Sequence, residues 1–293
     1  MRYVRLAGSS DQAPPPRPAR FFNMGTFDGL PDTSSAPRGS EPERLAALRE
    51  AGFEGVQGAD ADAARDAGLH SAASGRLDTP AEARDAVRRW KDQGHVAVTL
   101  HAGRGLESDA EADALAGAAA DAEAEAGLPV YVETHRATIT QDTWRTLQLL
   151  GREPRLGLNA DLSHWYTGLE MPYAGVERVA DFLAPTFERV GFLHGRIGSS
   201  GSMQVDAGND LAHALTLEHV RHFVLLWTRA AAAFRANAEP GDVLPFAPEL
   251  LGSQHHYARV FPAGDGQLRE ETDRWQQALL LCELFEHAFE AAG

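Results

Sequence analysis

The stretch Val130-Tyr131-Val132-Glu133-Thr134-His135-Arg136 begins as a short run of β-branched and aromatic residues and ends in polar ones, led by a carboxylate. A run this short and apolar reads as a buried strand of a parallel sheet. Similar runs precede it at Phe21 to Phe27, Phe53 to Gly58, Leu69 to Ala73 and His95 to His101, and follow it at Leu156 to Asp161, Val190 to Gly195 and Val243 to Glu249. Between them lie longer amphipathic stretches, among them Pro42 to Ala51, Pro80 to Gln93, Ala110 to Ala126 and Val176 to Arg189, with apolar residues at intervals of three and four. A final helix is expected from about Leu268 to Ala291. Thr79-Pro80, Thr140 and Thr216 supply capping signals before helical runs.

Eight strand-and-helix pairs in series predict a single-domain α/β protein, a closed (β/α)8 TIM barrel over residues 21–293 behind a proline-rich lead at 1–20. An open doubly wound sheet is the alternative. The polar, glycine-rich segments Gly198 to Asn209 and Pro262 to Gly266 read as mobile covers over a pocket.

Composition narrows the function. Hydrophobic residues make up 43% of the 293 and charged residues 24%, enough for a substantial core. With 27 basic against 42 acidic side chains the formal charge is −15, which repels phosphate backbones and anionic lipids, so no nucleic acid or membrane partner is expected. The single lysine, Lys91, sits between Trp90 and Asp92 in a polar helical stretch, and a Schiff-base aldolase would need a desolvated one. Cys282, the only cysteine, lies in the apolar run Ala278 to Phe285 and reads as a core residue in a reducing compartment. No window has a signal-peptide core or the roughly 18 to 20 apolar residues of a membrane span, so a cytoplasmic location is expected.

In a parallel barrel the working side chains project from the C-terminal ends of strands. Four consecutive strands end alike, in Glu133, Asp161, His194 and Glu249. One such residue is most often a hydrogen-bonded loop group. Several carboxylates converging in one mouth repel each other unless a cation neutralises them, so the set predicts a divalent metal site. Three oxygen donors, one nitrogen and no sulfur suit Mn²⁺ foremost, with Mg²⁺, Co²⁺, Zn²⁺ or Fe²⁺ also compatible.

These residues resemble the xylose-isomerase-like barrels, and within them the sugar phosphate isomerase/epimerase group that includes ketose 3-epimerases and inosose dehydratases. The likeness runs from about Phe21 to the last helix and is carried by Glu133, the Asp161-x-x-His164 pair, His194 with Arg196 two residues on, and Glu249. The resemblance implies that Glu133, Asp161, His194 and Glu249 bind the metal, that His164 and Arg196 touch a sugar or cyclitol substrate, and that the chain forms a homo-oligomer. The spacing of Arg196, the stretch Trp165 to Glu170 and the insertion-like Gly198 to Asn209 depart from the ketose 3-epimerase pattern and leave the substrate open.

The chemistry follows from general principles. A divalent ion holding a carbonyl and its neighbouring hydroxyl makes the adjacent C–H acidic enough for a carboxylate to remove its proton, giving an enediolate. Reprotonation yields an epimer or an isomer, and loss of a β-substituent yields elimination. The expected assignment makes Glu133 and Glu249 acid/base groups on opposite sides of the substrate, with His164 and Arg196 holding developing negative oxygen. His101 is expected to line the pocket, with a simple turn contact the alternative, and Trp165-Tyr166 to stack on a sugar ring, with routine packing beside the mouth the alternative. Gln57 and Asn23 are candidates to hydrogen-bond sugar hydroxyls, with ordinary backbone satisfaction the preferred reading; the directions of His135 and Arg136 stay open; and His255, His256 and Tyr257 either close the site or, in the preferred reading, form a surface cluster. His213, His219 and His222 receive no role.

Three alternatives compete: a lyase or dehydratase acting on a keto-sugar, keto-glycoside or inosose, a multi-zinc abasic-site endonuclease, and a non-catalytic carbohydrate-binding or assembly barrel. The acidic net charge speaks against the endonuclease. The lack of a glycine-rich phosphate loop and the scarcity of lysine weaken a phosphorylated substrate.

Overall fold

The computed structural model describes residues 1–6 and 13–293; part of the proline-rich lead, 7–12, lies outside the described residues. Eight parallel strands form the barrel: β1 (Arg17–Asn23), β2 (Gly55–Gln57), β3 (His70–Leu77), β4 (Ala97–Ala102), β5 (Val130–Glu133), β6 (Gly157–Ala160), β7 (Val190–Gly195) and β8 (Asp242–Pro248). Each pairs with the next. The circle closes where β8 pairs with β1, from Arg17↔Val243 to Arg20↔Phe246. Each predicted strand falls on one barrel strand, and the open-sheet alternative is excluded.

Local chemistry explains where boundaries differ from expectation. The first strand begins at Arg17, and Met24–Phe27 forms a 3-10 turn because Asn23 Oδ1 accepts from Gly25 N at 2.9 Å. The third strand runs on to Leu77 through a small and polar stretch whose Gly75 packs against Trp90; a Cβ there would come within 2.6 Å of the indole. The expected helix Val176 to Arg189 breaks into Val176–Phe182 and Ala184–Phe187, where Pro185 has no N–H to continue the ladder. The last helix starts at Arg274, not Leu268, with Asp273 as its cap; Leu268–Glu270 instead pairs antiparallel with Val260–Pro262 as a hairpin.

Phe21, Tyr131 and Phe192 fill the barrel interior with Ala72, Ala97 and Val243. Gly191 makes room for them, since a Cβ there would lie 2.3 Å from the Tyr131 ring. At the floor, Val4–Arg5 adds an antiparallel pair to β8, and Tyr131 Oη donates to Arg2 O at 2.8 Å. Outside the sheet, Phe22, Phe53, Trp227, Phe246 and Phe285 pack under the helices. In such a barrel the working side chains project from the C-terminal strand ends, opposite this floor.

The segment 198–209, expected as a mobile cover, is packed: Met203 and Ala207 are buried, and Ala207 N donates to Gln277 Oε1 of the last helix at 2.8 Å. Among the described residues no helix is long and apolar enough to cross a membrane.

Candidate metal centre

Glu133 ends β5, Asp161 follows β6, His194 lies in β7 and Glu249 follows β8. Barrel closure brings one donor atom from each of the four within 4.8 Å of all the others. Glu133, Asp161 and His194 are fully buried, and the Glu249 side chain keeps 15% of its surface exposed. Asp161 caps the helix Leu162–Gly168, so its Oδ1 accepts from Ser163 N and Oγ while Oδ2 points elsewhere. His194 Nδ1 lies 3.5 Å from Glu133 Oε2 and 3.5 Å from Glu249 Oε2.

Two atoms test whether a cation fits. Asp161 Oδ2 and His194 Nδ1 are buried and have no hydrogen-bond partner. Leaving such groups unsatisfied costs about 1–3 kcal/mol each, more for a charge, and both belong to the four-donor cluster. Three carboxylates and an imidazole are a donor set suited to a divalent ion, so the residues present fit one.

Amides support this cluster from behind. His194 Nε2 lies 2.6 Å from Gln57 Oε1, an acceptor, which holds a ring proton on Nε2 and turns Nδ1 toward the carboxylates. The Asn159 amide nitrogen lies 2.9 Å from the same ring nitrogen and donates to Thr99 Oγ1 at 3.1 Å. Asn23 Nδ2 donates to Gln57 Oε1 and to Glu249 Oε1, both at 3.0 Å. Backbone satisfaction, the expectation for both residues, holds for Asn23 Oδ1, which accepts from Gly25 N, whereas Asn23 Nδ2 and Gln57 Oε1 bond to each other and to Glu249 and His194 of the cluster.

Charge distribution sets the protonation of the metal-free centre. Burial alone would raise the Glu133 carboxyl, but His194 and His101 outweigh it and hold that group well below the usual range. His101 Nε2 lies 2.9 Å from Glu133 Oε2, and this partner raises the imidazole despite its burial. Burial opposes the His194 charge, yet Glu249 and Glu133 push its pKa up to about 9. Asp161 is raised by burial and by the neighbouring Glu249 and Glu133, against the pull of Arg196.

Arg196, two residues along from His194, turns into the same mouth. Its Nε donates to Glu249 O at 2.9 Å, its Nη2 pairs with the Glu249 carboxylate, and its Nη1 stands 3.5 Å from Asp161 Oδ2. Tyr257 covers it, with the guanidinium carbon 4.4 Å from the ring centroid. This tyrosine, read from sequence as part of a surface cluster, belongs to the mouth, while His255 and His256 are exposed.

His164 stands with Nε2 3.6 Å from Asp161 Oδ2, and both its nitrogens are without hydrogen-bond partners. Burial and the Arg196 charge keep it neutral, well below the ordinary histidine value. His135 packs between His164 and His101, with ring centroids 3.9 and 4.9 Å away. Trp165, expected to stack on a sugar, is 1% exposed, and its Nε1 donates to Thr140 O at 2.8 Å, so it braces the turn after β5 from within the core. Tyr166 is buried too, its hydroxyl 2.8 Å from His222 Nδ1.

No family model and no curated protein matches this chain. Solved structures do. The probable 3-DHS dehydratase AsbF of Bacillus anthracis superposes with a TM-score of 0.57 at 16% identity, covering 91% of this chain and 97% of that one. A sugar phosphate isomerase/epimerase of Parabacteroides distasonis gives 0.53 at 12% identity over 97% of each chain. A D-tagatose 3-epimerase-like protein gives 0.54 at 10% identity, covering 94% of this chain and all of the other. The chain shares the fold of these barrels. At these identities the likeness establishes the fold alone, a (β/α)8 barrel.

Proposed function

We propose that this chain is a divalent-metal-dependent isomerase or epimerase that moves a proton beside the carbonyl of a keto-sugar or cyclitol. The observation that carries the reading is the meeting of Glu133, Asp161, His194 Nδ1 and Glu249 at the C-terminal ends of the barrel strands, with two of those atoms buried and unpaired. These four residues would hold the ion, which when bound supplies charge to polarise the substrate carbonyl and its neighbouring hydroxyl.

The remaining steps fall to the protein's own groups. Glu133 or Glu249 takes the proton from the carbon beside the carbonyl, and the C–H electron pair becomes a C=C bond while the carbonyl oxygen gains charge. Arg196 and His164 stand beside this cluster as donors for that oxygen. Return of a proton from the opposite carboxyl to the other face of that carbon gives the epimer, and return to the former carbonyl carbon, with the neighbouring hydroxyl's proton passing to the old carbonyl oxygen, gives the isomer. Gln57, Asn23 and Asn159 hold the donor atoms in register throughout.

Elimination shares the first step. The His101–Glu133 pair favours it as the second reading, because an imidazole raised by a carboxylate can protonate a departing β-hydroxyl. Metal analysis of the purified protein, then incubation with a panel of keto-sugars and inososes in D₂O, tests both. Solvent deuterium at carbon supports proton transfer, and product mass separates rearrangement from loss of water. No bound metal and no exchange across the panel would favour a carbohydrate-binding barrel instead.

A further inference from the structure

We propose that the substrate of this same site carries an anionic group, a carboxylate or a phosphate, received at the mouth by the Arg136 guanidinium and the His135 Nε2–H. The inference deepens the metal-enzyme reading and rests on it. Its first support is a charge count. Glu133, Asp161 and Glu249 bring three negative charges into the centre, and a divalent ion with Arg196 balances them. Arg136 is then left over.

Several arginines at the barrel strand ends or in the segments that follow them are committed, and Arg38 donates to Pro31 O. Arg76 and Arg104 pair with Asp78, Arg145 with Asp109, Arg259 with Glu271 and Arg269 with Asp265. Among the described residues Arg136 forms no ion pair. It is exposed, and its guanidinium carbon lies 5.7 Å from the ring centroid of Tyr257, the same ring that covers Arg196. A free guanidinium is thus tethered at the mouth by an aromatic contact that leaves its N–H fork available to an oxyanion.

His135 adds a directed donor. Its Nδ1 accepts from Ala137 N at 3.0 Å, which places the ring proton on Nε2. The turn that carries it is cross-braced: His135 N donates to Thr140 Oγ1 at 3.1 Å and Thr138 Oγ1 donates to His135 O at 2.8 Å. His101, Glu133 and His135 could on distance alone hold a second ion. A protonated Nε2 has no lone pair to offer, so the tautomer makes His135 a hydrogen-bond donor and not a ligand.

The test uses the full chain loaded with Mn²⁺ and isothermal titration with D-glucuronate, D-glucose 6-phosphate and D-glucose, on wild type, Arg136→Gln and Arg136→Lys. At least one acid should bind about tenfold or more tighter than glucose, Arg136→Gln should shrink that preference to about twofold, and Arg136→Lys should keep part of it. A larger gain for glucuronate identifies a carboxylate site, and a larger gain for the 6-phosphate a phosphate site. Equal affinities, a preference untouched by Arg136→Gln, or acids that fail to bind at millimolar concentration would overturn the proposal. Because binding is read without turnover, failure of deuterium exchange would sink the reaction assigned above and leave this result standing.

Discussion

Gln57 Oε1 sits 2.6 Å from His194 Nε2, and this contact decides which imidazole nitrogen faces the carboxylates. Gln57→Leu removes the acceptor and frees the ring to rotate or change tautomer. Mn²⁺ affinity should fall about 10- to 100-fold with the fold intact, and Gln57→Glu, which keeps an acceptor, should retain most of it. Titration of the metal into each variant, with circular dichroism as a control, measures this; wild-type affinity in Gln57→Leu would remove the orienting role.

In the metal-free centre His194 is raised to about 9 by Glu249 and Glu133 against its burial, so near neutrality it carries a proton that an ion must displace. Mn²⁺ binding at neutral pH should therefore release about one proton, and affinity should rise with pH until about 9. Calorimetry in two buffers of different ionisation enthalpy counts the proton. A count of zero contradicts His194 as a ligand.

Glu133→Gln and Glu249→Gln each remove a charge to which the proposed function assigns both holding the ion and moving the substrate proton. Turnover should drop by about 10²-fold or more in each even at saturating Mn²⁺. Initial rates on whichever keto-sugar exchanges deuterium provide the measurement, and near-normal rates in either variant would strip that residue of its assigned task.

Arg196 is buried against Asp161 and Glu249. Arg196→Met strands both carboxylates in a low-dielectric site and should cost about 3–5 kcal/mol in urea unfolding of the metal-free protein. Added Mn²⁺ should recover part of the loss, since the ion supplies countercharge to the same groups. A loss below about 1 kcal/mol would mean water already screens the pair.

Asp273 caps the last helix and ties it to the 34–35 loop: its carboxylate accepts from Ser34 Oγ at 2.9 Å, Ser35 N at 2.7 Å and Trp275 N at 3.0 Å. Burial would raise this carboxyl, but the Ser35 and Ser34 hydrogen bonds and the Trp275 N–H outweigh it and lower its pKa. A carboxyl depressed in the folded state stabilises above its unfolded pKa of about 3.9 and loses that contribution as pH falls through the folded value. Asp273→Ala should therefore cost about 1–2 kcal/mol at neutral pH, and the gap to wild type should close in strong acid. Urea midpoints across that range decide it.

How much of the fold was legible shows in particular residues. The apolar runs around Val130, Leu158, Phe192 and Val243 announced strands because a strand buried on both faces needs a continuous apolar stretch. Leu268 to Glu270 was misread as helix because it abuts an apolar 3.6-period run, and only its pairing with Val260 to Pro262 marks it as a strand. Trp165 looked like a sugar platform by its place after a strand end; its indole turned inward because Thr140 O offered a buried acceptor.

The amino-acid order alone determined the strand-and-helix alternation and put an acidic or imidazole group at four successive strand ends, since both are local patterns that a chain must carry to bury its sheet and present polar tips. It did not determine the company those tips keep. Gln57 and His194 stand 137 positions apart, and Asn23 and Glu249 stand 226 apart. Their contacts, like the cover of Tyr257 over Arg196, arise only when β8 closes on β1, because hydrogen bonds between distant residues depend on barrel geometry and leave no periodic trace along the chain.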